Sequence, residues 1–145
     1  FSKRSCNEYG RNGIMPGTWS KDNGYESYTM IARSALVTPS SKIAGGCALM
    51  EGAIVNGAIL AQNSVINTKA VIEHGCILGN NVFVGPGAIV CGDTCIGDNV
   101  LVGAGVIIRD GIEITENVTI GMGSVVVRSI VEPGVYLGNP CRKIR

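Results

Sequence analysis

The sequence predicts an all-β fold, a left-handed parallel β-helix of hexapeptide repeats with about five coils. The first observation is an aliphatic residue at every sixth position, because a period of six excludes the 3.6-residue helix and exceeds the two-residue alternation of an open sheet. All thirteen members of this column are Ile, Leu or Val: Ile54, Leu60, Ile66, Ile72, Leu78, Val84, Val90, Ile96, Val102, Ile108, Ile114, Ile120 and Val126.

A second column, three residues after each aliphatic, predicts the corners of the coils. Eleven of its thirteen members are Gly, Asn or Asp, which enter the left-handed backbone region most cheaply. The column is Gly57, Asn63, Lys69, Gly75, Asn81, Gly87, Asp93, Asn99, Gly105, Gly111, Asn117, Gly123 and Ser129. Three sides of six residues close a coil of about eighteen, with like residues stacked at the strand spacing. Two interior ladders are therefore expected, one of Ile72, Val90, Ile108 and Val126 and one of Leu78, Ile96 and Ile114.

The repeat also predicts the organisation of the chain. Val37, Ile43 and Leu49 continue the pattern one residue out of phase, so a five-residue step is expected between Leu49 and Ile54. The β-helix is predicted over residues 30–132, and residues 133–145 form a short C-terminal tail. Residues 1–29 lack the repeat and are expected to be an irregular segment, either the remnant of an N-terminal α/β domain or a cap over the first coil.

Composition excludes several classes of function. Twelve Lys and Arg stand against eleven Asp and Glu, a net charge of +1, which argues against a mainly electrostatic nucleic-acid or membrane-surface binder. No apolar run approaches the roughly 18 residues of a membrane span. The six cysteines form no CxxC pair, and one histidine leaves little for a zinc site, so no metal is expected. Several cysteines fall within the repeat, which favours reduced thiols in a cytoplasm.

The residues that the repeat does not explain are the candidates for chemistry. His74 is the only histidine, and it lies between an interior aliphatic and a corner, so its ring should point outward. An imidazole accepts a proton near neutral pH at little cost. The alternatives are a solvated corner residue or one packed against a neighbouring subunit. Glu73 beside it is either part of a solvated face or part of the site, and Asn67 either donates to a substrate or packs in the stack.

These residues resemble a known family. The runs Asn67-Thr68-x-Ala70-Val71-x-Glu73-His74-x-Cys76, Gly85-Pro86-Gly87-Ala88, Gly97-Asp98-Asn99, Gly103-Ala104-Gly105 and Gly138-Asn139-Pro140 are similar to those of hexapeptide-repeat acyltransferases. The likeness is to the sugar O-/N-acetyltransferase branch of NeuD/PglD type and covers about residues 30–145.

The resemblance implies an acetyl-CoA-dependent transfer to a hydroxyl or amine of a sugar or nucleotide sugar, of the kind used in polysaccharide biosynthesis. It implies a cytoplasmic homotrimer with its site in the cleft between prisms, and His74 as general base. Glu73 is the second predicted catalytic residue, beside His74. The remaining roles that the resemblance implies are Asn67 as a substrate contact, the backbone N–H of Gly92 near the carbonyl oxygen, Gly103, Ala104, Gly121 and Met122 along the pantetheine groove, and Arg142 and Lys143 near the CoA phosphates.

Two departures from the family keep alternatives open. Relatives usually carry Asp or Glu after the histidine, where it orients the ring, but this chain has Gly75. Three carboxylates are candidates to orient the ring instead: that of Glu73, one from another coil or one from another subunit. Members of the branch also usually have an N-terminal α/β domain. A non-catalytic β-helical scaffold and a serine acetyltransferase therefore remain alternatives, and neither the acceptor nor O- versus N-transfer is read from the sequence.

Overall fold

The computed structural model describes residues 28–145, which form a three-sided parallel β-helix. Almost every strand is two residues long because a corner interrupts the chain every six residues. The strands are β1 Met30–Ile31, β2 Leu36–Val37, β3 Lys42–Ile43, β4 Ala48–Leu49, β5 Ile54–Val55, β6 Ile59–Leu60, β7 Val65–Ile66, β8 Val71–Ile72, β9 Ile77–Leu78, β10 Phe83–Val84, β11 Ile89–Val90, β12 Cys95–Ile96, β13 Leu101–Val102, β14 Ile107–Ile108, β15 Glu113–Ile114, β16 Val118–Ile120, β17 Val125–Val126, β18 Gly134–Leu137 and β19 Arg142–Lys143.

The strands stack into three sheets, here called faces A, B and C. Face A runs β1-β4-β7-β10-β13-β16-β18-β19, face B runs β2-β5-β8-β11-β14-β17, and face C runs β3-β6-β9-β12-β15. One strand per coil on face B gives about six coils, against the five expected. The all-β prediction is confirmed, since residues 28–145 contain no helix.

The core is a set of aliphatic ladders inside the prism. Ile72, Val90, Ile108 and Val126 are in register on face B, as predicted, and each is at most 1% exposed. The predicted ladder of Leu78, Ile96 and Ile114 is equally in register on face C. A narrow prism filled by aliphatic side chains of similar size has no room for large aromatic rings, which explains the aromatic-poor composition.

The corners adopt the backbone that the second column predicts. Twelve of its thirteen residues have φ between 56° and 71°, and Ser129 does not share this conformation. Six of the twelve are not glycine, and Lys69, with φ 56°, is the one that is neither Asn nor Asp. Each of the twelve positions therefore turns the chain from one face to the next, and the repeat in the sequence becomes a repeat in the backbone.

The predicted position of the five-residue step is wrong. Val55, not Ile54, is the buried member of β5, and it pairs with Val37 below and Ile72 above. The interior column therefore runs in steps of six as far as Val55, and the short step falls between Val55 and Leu60. Because β5 holds two adjacent aliphatic residues, hydrophobicity alone could not tell which one points inward.

The C-terminal residues continue the prism before they leave it. Strand β18 pairs in parallel with β16 and adds a rung to face A, and β19 folds back antiparallel on β18. Tyr136 is 9% exposed, and its hydroxyl donates to the Glu132 carbonyl. Of the segment predicted over residues 1–29, residues 1–27 lie outside the described residues.

No helix within residues 28–145 is long and apolar enough to cross a membrane.

Candidate active site

His74 lies on the edge of the prism where face B turns into face C, here called the B–C edge. Strand β8 precedes it and β9 follows it, and His74 is the first residue of the corner between them. Ile72, two residues earlier, is the buried residue of β8, and the chain turns after it. The His74 side chain therefore points away from the core, as predicted. His74 is exposed in the single chain.

Gly92 of the next coil forms the support for the imidazole. A Cβ placed on Gly92 would lie 2.8 Å from Cε1, 3.0 Å from Nε2 and 3.3 Å from Nδ1 of His74, and no other atom would be nearer. The Cε1 end of the ring therefore lies close to the glycine Cα. Gly92 does not have positive φ, so a side chain here would have to displace the imidazole rather than strain the backbone.

The backbone N–H of Gly92 is available as a donor beside the ring. Within residues 28–145 it donates to no acceptor, whereas the N–H of Cys91 before it and of Asp93 after it donate to the carbonyls of Ile108 and His74. An unpaired N–H next to a base is the arrangement that stabilises a developing oxyanion. The Gly92 N–H is therefore free to donate to a substrate carbonyl oxygen, which is the role that the resemblance implies.

Glu73 is turned away from the imidazole toward the coil below. Its Oε2 accepts a hydrogen bond of 2.9 Å from Asn56 Nδ2. Within the described part of the chain no hydrogen bond or ion pair joins Glu73 to His74. The structure places Glu73 next to His74, but the Glu73 carboxylate joins two coils through Asn56.

The corner below His74 is the shortened one. The five-residue step removes one residue of that corner, leaving Gly57 with φ 64°, and Gly75 N donates to the Gly57 carbonyl. A Cβ on Gly57 would lie 3.8 Å from His74 Cβ. His74 is therefore bordered above by a glycine and below by a corner that lacks one residue, which leaves both sides of the side chain uncrowded.

Asp93 is a carboxylate near His74 that the sequence analysis counted only as a corner residue. Asp93 lies directly above Gly75, and a Cβ on Gly75 would overlap Asp93 Oδ1 and lie 3.2 Å from its Cγ. The carboxylate thus occupies the space that a side chain at position 75 would take. The signal in the sequence is its spacing, since Asp93 comes one coil of eighteen residues after Gly75.

The thiol that follows this corner is structural. Burial raises the pKa of Cys76, the hydrogen bond from the Thr94 backbone lowers it less, and Cys76 Sγ donates to the Cys91 carbonyl at 3.1 Å. A buried, protonated thiol is a poor nucleophile. Transfer through a covalent acyl-cysteine at Cys76 is therefore disfavoured.

A second group of predicted residues lies on the edge where face A turns into face B, here called the A–B edge. Asn67, Gly103 and Gly121 occupy equivalent positions in its corners, and Ala104 and Met122 are the residues that follow the two glycines. Within the described residues, the N–H groups of Ala104 and Met122 have no acceptor. Met122 is 76% exposed. The edge therefore offers unpaired backbone donors one coil apart.

Asn67 presents a side-chain donor on the same edge. Its Oδ1 accepts from the backbone N and the hydroxyl of Thr68, at 2.7 and 3.3 Å. This fixes the amide plane and, within residues 28–145, leaves Nδ2 without a partner. A substrate carbonyl or hydroxyl oxygen fits that donor.

The glycines of this edge have a structural reason as well. A Cβ on Gly103 would lie 2.6 Å from the backbone N of Met122 and 2.8 Å from the Ile120 carbonyl oxygen. Any side chain there would push the next coil away. A Cβ on Gly121 would collide with the Leu137 side chain instead. Gly103 is thus required for stacking whether or not a ligand approaches it, whereas at Gly121 only the exposed Leu137 side chain would have to move.

The two predicted cationic residues follow the turn that ends the A–B edge. Arg142 and Lys143 form β19, and both are exposed. Lys143 Nζ forms an ion pair of 2.9 Å with Glu132, while Arg142 donates to the neighbouring Cys141 carbonyl. The guanidinium of Arg142 is therefore the less committed of the two charges.

The predicted site residues thus fall on two different edges of one prism. His74, Glu73 and Gly92 are on the B–C edge, whereas the other group is on the A–B edge. Successive corners are six residues apart, so the two edges of face B are separated by roughly 15–20 Å. One copy of the chain does not bring the base to the predicted groove.

Residues 28–145 also form an open groove away from these two sets of predicted residues. It holds about 450 Å³ and runs along face C, where Ile77, Cys95 and Glu113 line it. His74 is not among its lining residues. Residues 28–145 contain no group of three or more His, Cys, Asp or Glu side chains placed to hold a metal ion.

Gly92→Ala is expected to lower kcat for acetyl transfer while leaving the fold intact. The atoms nearest to the added methyl group all belong to the imidazole, which it displaces, and alanine retains the N–H. General-base catalysis contributes roughly 10²–10⁴-fold to kcat, and a displaced imidazole is expected to lose much of this factor. Steady-state kinetics and thermal unfolding of the variant are the measurements.

Gly45→Ala is the matched control for Gly92→Ala. Gly45 is also the first residue of its corner, without positive φ, and a Cβ there meets no atom within 4 Å. Its kcat should equal that of the parent. An unchanged kcat in Gly92→Ala would show that the ring position does not matter to turnover.

Comparison with known proteins agrees with the repeat. Residues 93–128 match the family described as bacterial transferase hexapeptide (six repeats). No curated protein sequence matches the chain significantly. The match over residues 93–128 and the three-sided fold of the described residues confirm the resemblance to proteins built of hexapeptide repeats.

Solved structures of acetyltransferases superimpose well on the chain. PerB from Caulobacter crescentus, in complex with CoA and GDP-perosamine, is 30% identical, with a TM-score of 0.86 over 90% of this chain and 63% of that chain. The acetyltransferase domain of PglB from Neisseria gonorrhoeae FA1090 is 31% identical, with a TM-score of 0.85 over 89% of this chain and 63% of that chain. That domain is also known in complex with acetyl coenzyme A. The present chain spans less than two thirds of the length of these proteins.

Proposed function

We propose that the protein transfers an acetyl group from acetyl-CoA to a hydroxyl or amine of a sugar or nucleotide sugar. The observation that carries this function is the 30% identity and close superposition with a structure that holds CoA and GDP-perosamine. The free imidazole of His74 beside the unpaired Gly92 N–H supports it independently, because acyl transfer needs a base and an oxyanion donor in one place.

The chemistry uses groups that the chain itself supplies. His74 takes the proton of the acceptor amine or hydroxyl as the acceptor attacks the thioester carbonyl carbon. Gly92 N–H donates to the oxyanion while the new C–N or C–O bond forms. The C–S bond then breaks, the imidazolium returns its proton to the leaving thiolate, and the products are the acetylated sugar and CoA.

The acceptor and the donor each have an edge residue to hold them. Asn67 Nδ2 is a donor for the acceptor sugar, and the unpaired N–H groups of Ala104 and Met122 suit the amide carbonyls of pantetheine. Arg142 is placed for the CoA phosphates, since a guanidinium pairs with phosphate oxygens in two hydrogen bonds. Lys143 joins it when its ion pair with Glu132 opens.

A homotrimer completes the site. Face B lies between the two edges that carry the predicted groups, and its outward residues are all aliphatic: Leu36, Ile54, Val71, Ile89, Ile107 and Val125. Leu36, Ile89 and Ile107 are 38–56% exposed in the single chain. When three copies turn face B toward a three-fold axis, the B–C edge of one copy meets the A–B edge of the next. This closed arrangement buries the aliphatic column and brings His74 to a neighbour's groove.

The proposed setting is the cytoplasm. Acetyl-CoA is the donor there, and five cysteines of the described residues, including buried Cys47 and Cys76, are free thiols. The acetylated nucleotide sugar would be consumed by glycosyl transfer, as in polysaccharide synthesis.

The function is tested with the chain, acetyl-CoA and a panel of acceptors. The panel contains a nucleotide-linked amino sugar, the same nucleotide sugar without its amine, a free amino sugar and serine. Thiol release with a sugar acceptor, with one acetyl group added to it by mass spectrometry, is expected. Turnover with serine and with none of the sugars would contradict a sugar acceptor and identify an amino-acid acceptor instead. Failure to bind acetyl-CoA by calorimetry, with no thiol release, would favour a non-catalytic scaffold.

A further inference from the structure

A histidine base needs a partner that orients its ring and stabilises the imidazolium, and a carboxylate performs this task in catalytic triads. Gly75, which follows His74, has no side chain to do so. Glu73 is committed to Asn56. The partner must therefore come from another coil or another copy.

Asp93 is the carboxylate that the next coil brings to this place. A Cβ on Gly75 would overlap Asp93 Oδ1, so the carboxylate lies where a side chain of residue 75 would begin. Asp93 N donates to the His74 carbonyl at 2.8 Å, which holds the two backbones together. Asp93 also directly follows Gly92, on which the imidazole lies. Gly75 is what makes room for it.

Neither group is engaged elsewhere. Within residues 28–145 the Asp93 carboxylate and the His74 imidazole make no hydrogen bond or ion pair, to each other or to other residues. Asp93 is exposed, and its side chain has only two torsions to turn from Gly75 toward the ring. Catalytic hydrogen bonds are commonly long in unliganded enzymes and tighten when substrate binds.

We propose that Asp93 is the positioning residue for His74, orienting the imidazole and stabilising the imidazolium in place of a side chain at residue 75. The inference rests on the proposed acetyl transfer. It assigns the base and its partner to adjacent coils of one chain, so that the pair is preformed in each subunit and the neighbouring subunit supplies the groove.

Asp93→Asn should lower kcat by roughly tenfold or more, but by no more than the roughly 10²–10⁴-fold that the whole general base contributes, with KM for acetyl-CoA unchanged. Glu116→Gln is the matched control, since Glu116 is an exposed corner carboxylate on the edge between faces C and A. The decisive variant moves the carboxylate: Gly75→Asp combined with Asp93→Gly should recover most of the kcat that Asp93→Gly alone loses. Aspartate tolerates the left-handed backbone of residue 75.

The single histidine provides a readout that does not depend on turnover. The ¹⁵N NMR spectrum of the parent contains one imidazole, and Asp93→Asn is expected to change the balance between its two neutral tautomers, whereas Glu116→Gln is not. Parent-like kcat and spectrum in Asp93→Asn, with His74→Ala inactive, would overturn the role of Asp93 and leave acetyl transfer standing. Full activity of His74→Ala would instead overturn the proposed base and, with it, this role for Asp93.

Discussion

Replacing His74 with alanine is expected to lower kcat for acetyl transfer by roughly 10²–10⁴-fold, the factor that a positioned general base supplies. The side chain is exposed and makes no hydrogen bond within residues 28–145, so the fold should lose little stability. Thiol release measures the activity, circular dichroism measures the fold, and calorimetry should show acetyl-CoA binding close to that of the parent.

Gln62→Ala is the matched control for the histidine substitution. Gln62 is the first residue of its corner, as His74 is, and it is exposed on the edge between faces C and A. Its removal should leave kcat unchanged. If folded His74→Ala retained parental turnover, another residue would have to be the base. If both variants were inactive because the parent itself has no activity, the scaffold alternative would be favoured.

Ile107→Lys is expected to dissociate the proposed homotrimer and abolish activity in the same variant. Ile107 is the fifth of the six outward aliphatic residues of face B and is 42% exposed in the single chain. An uncompensated charge in a buried contact costs roughly 3–5 kcal/mol, which weakens association by roughly 10²–10⁴-fold. Analytical ultracentrifugation should give a monomer whose circular dichroism matches the parent, because the interior ladder is untouched.

Ile59→Lys separates the effect of face B from that of a new surface charge. Ile59 has the same place in its strand, points outward from face C and is 43% exposed. This variant should remain trimeric and active. A trimeric, active Ile107→Lys would contradict the packing of face B around the axis, and a monomeric parent with full activity would contradict the shared site.

Much of the fold was predictable because each coil repeats the same local solution. A buried aliphatic and a left-handed corner recur every six residues, so the period alone defines strands, corners and ladders. The error at Ile54 arose where two adjacent aliphatic residues made both phases equally apolar. Only the pairing of Val55 with Ile72 settled the phase, and it moved the short corner to the coil directly below His74.

The candidate site was predictable as a set of residue types and far less as an arrangement. A lone histidine outside the core ladder was visible in the sequence, and the resemblance supplied roles for the others. Stacking decided that these residues divide between two edges, and that Gly103 is needed to let the next coil approach. It also decided that Asp93 fills the space left by Gly75, since residues eighteen apart become neighbours only when the coil closes.

The sequence by itself determined a six-residue rhythm, and through it the three-sided winding, the aliphatic interior and the outward direction of the imidazole. These are local consequences of side-chain size and backbone preference, repeated along the chain. Only the tertiary structure decided which atoms border that imidazole, because its neighbours come from the coils above and below. Contacts across coils depend on the exact number of residues in each turn, and one missing residue is enough to change them.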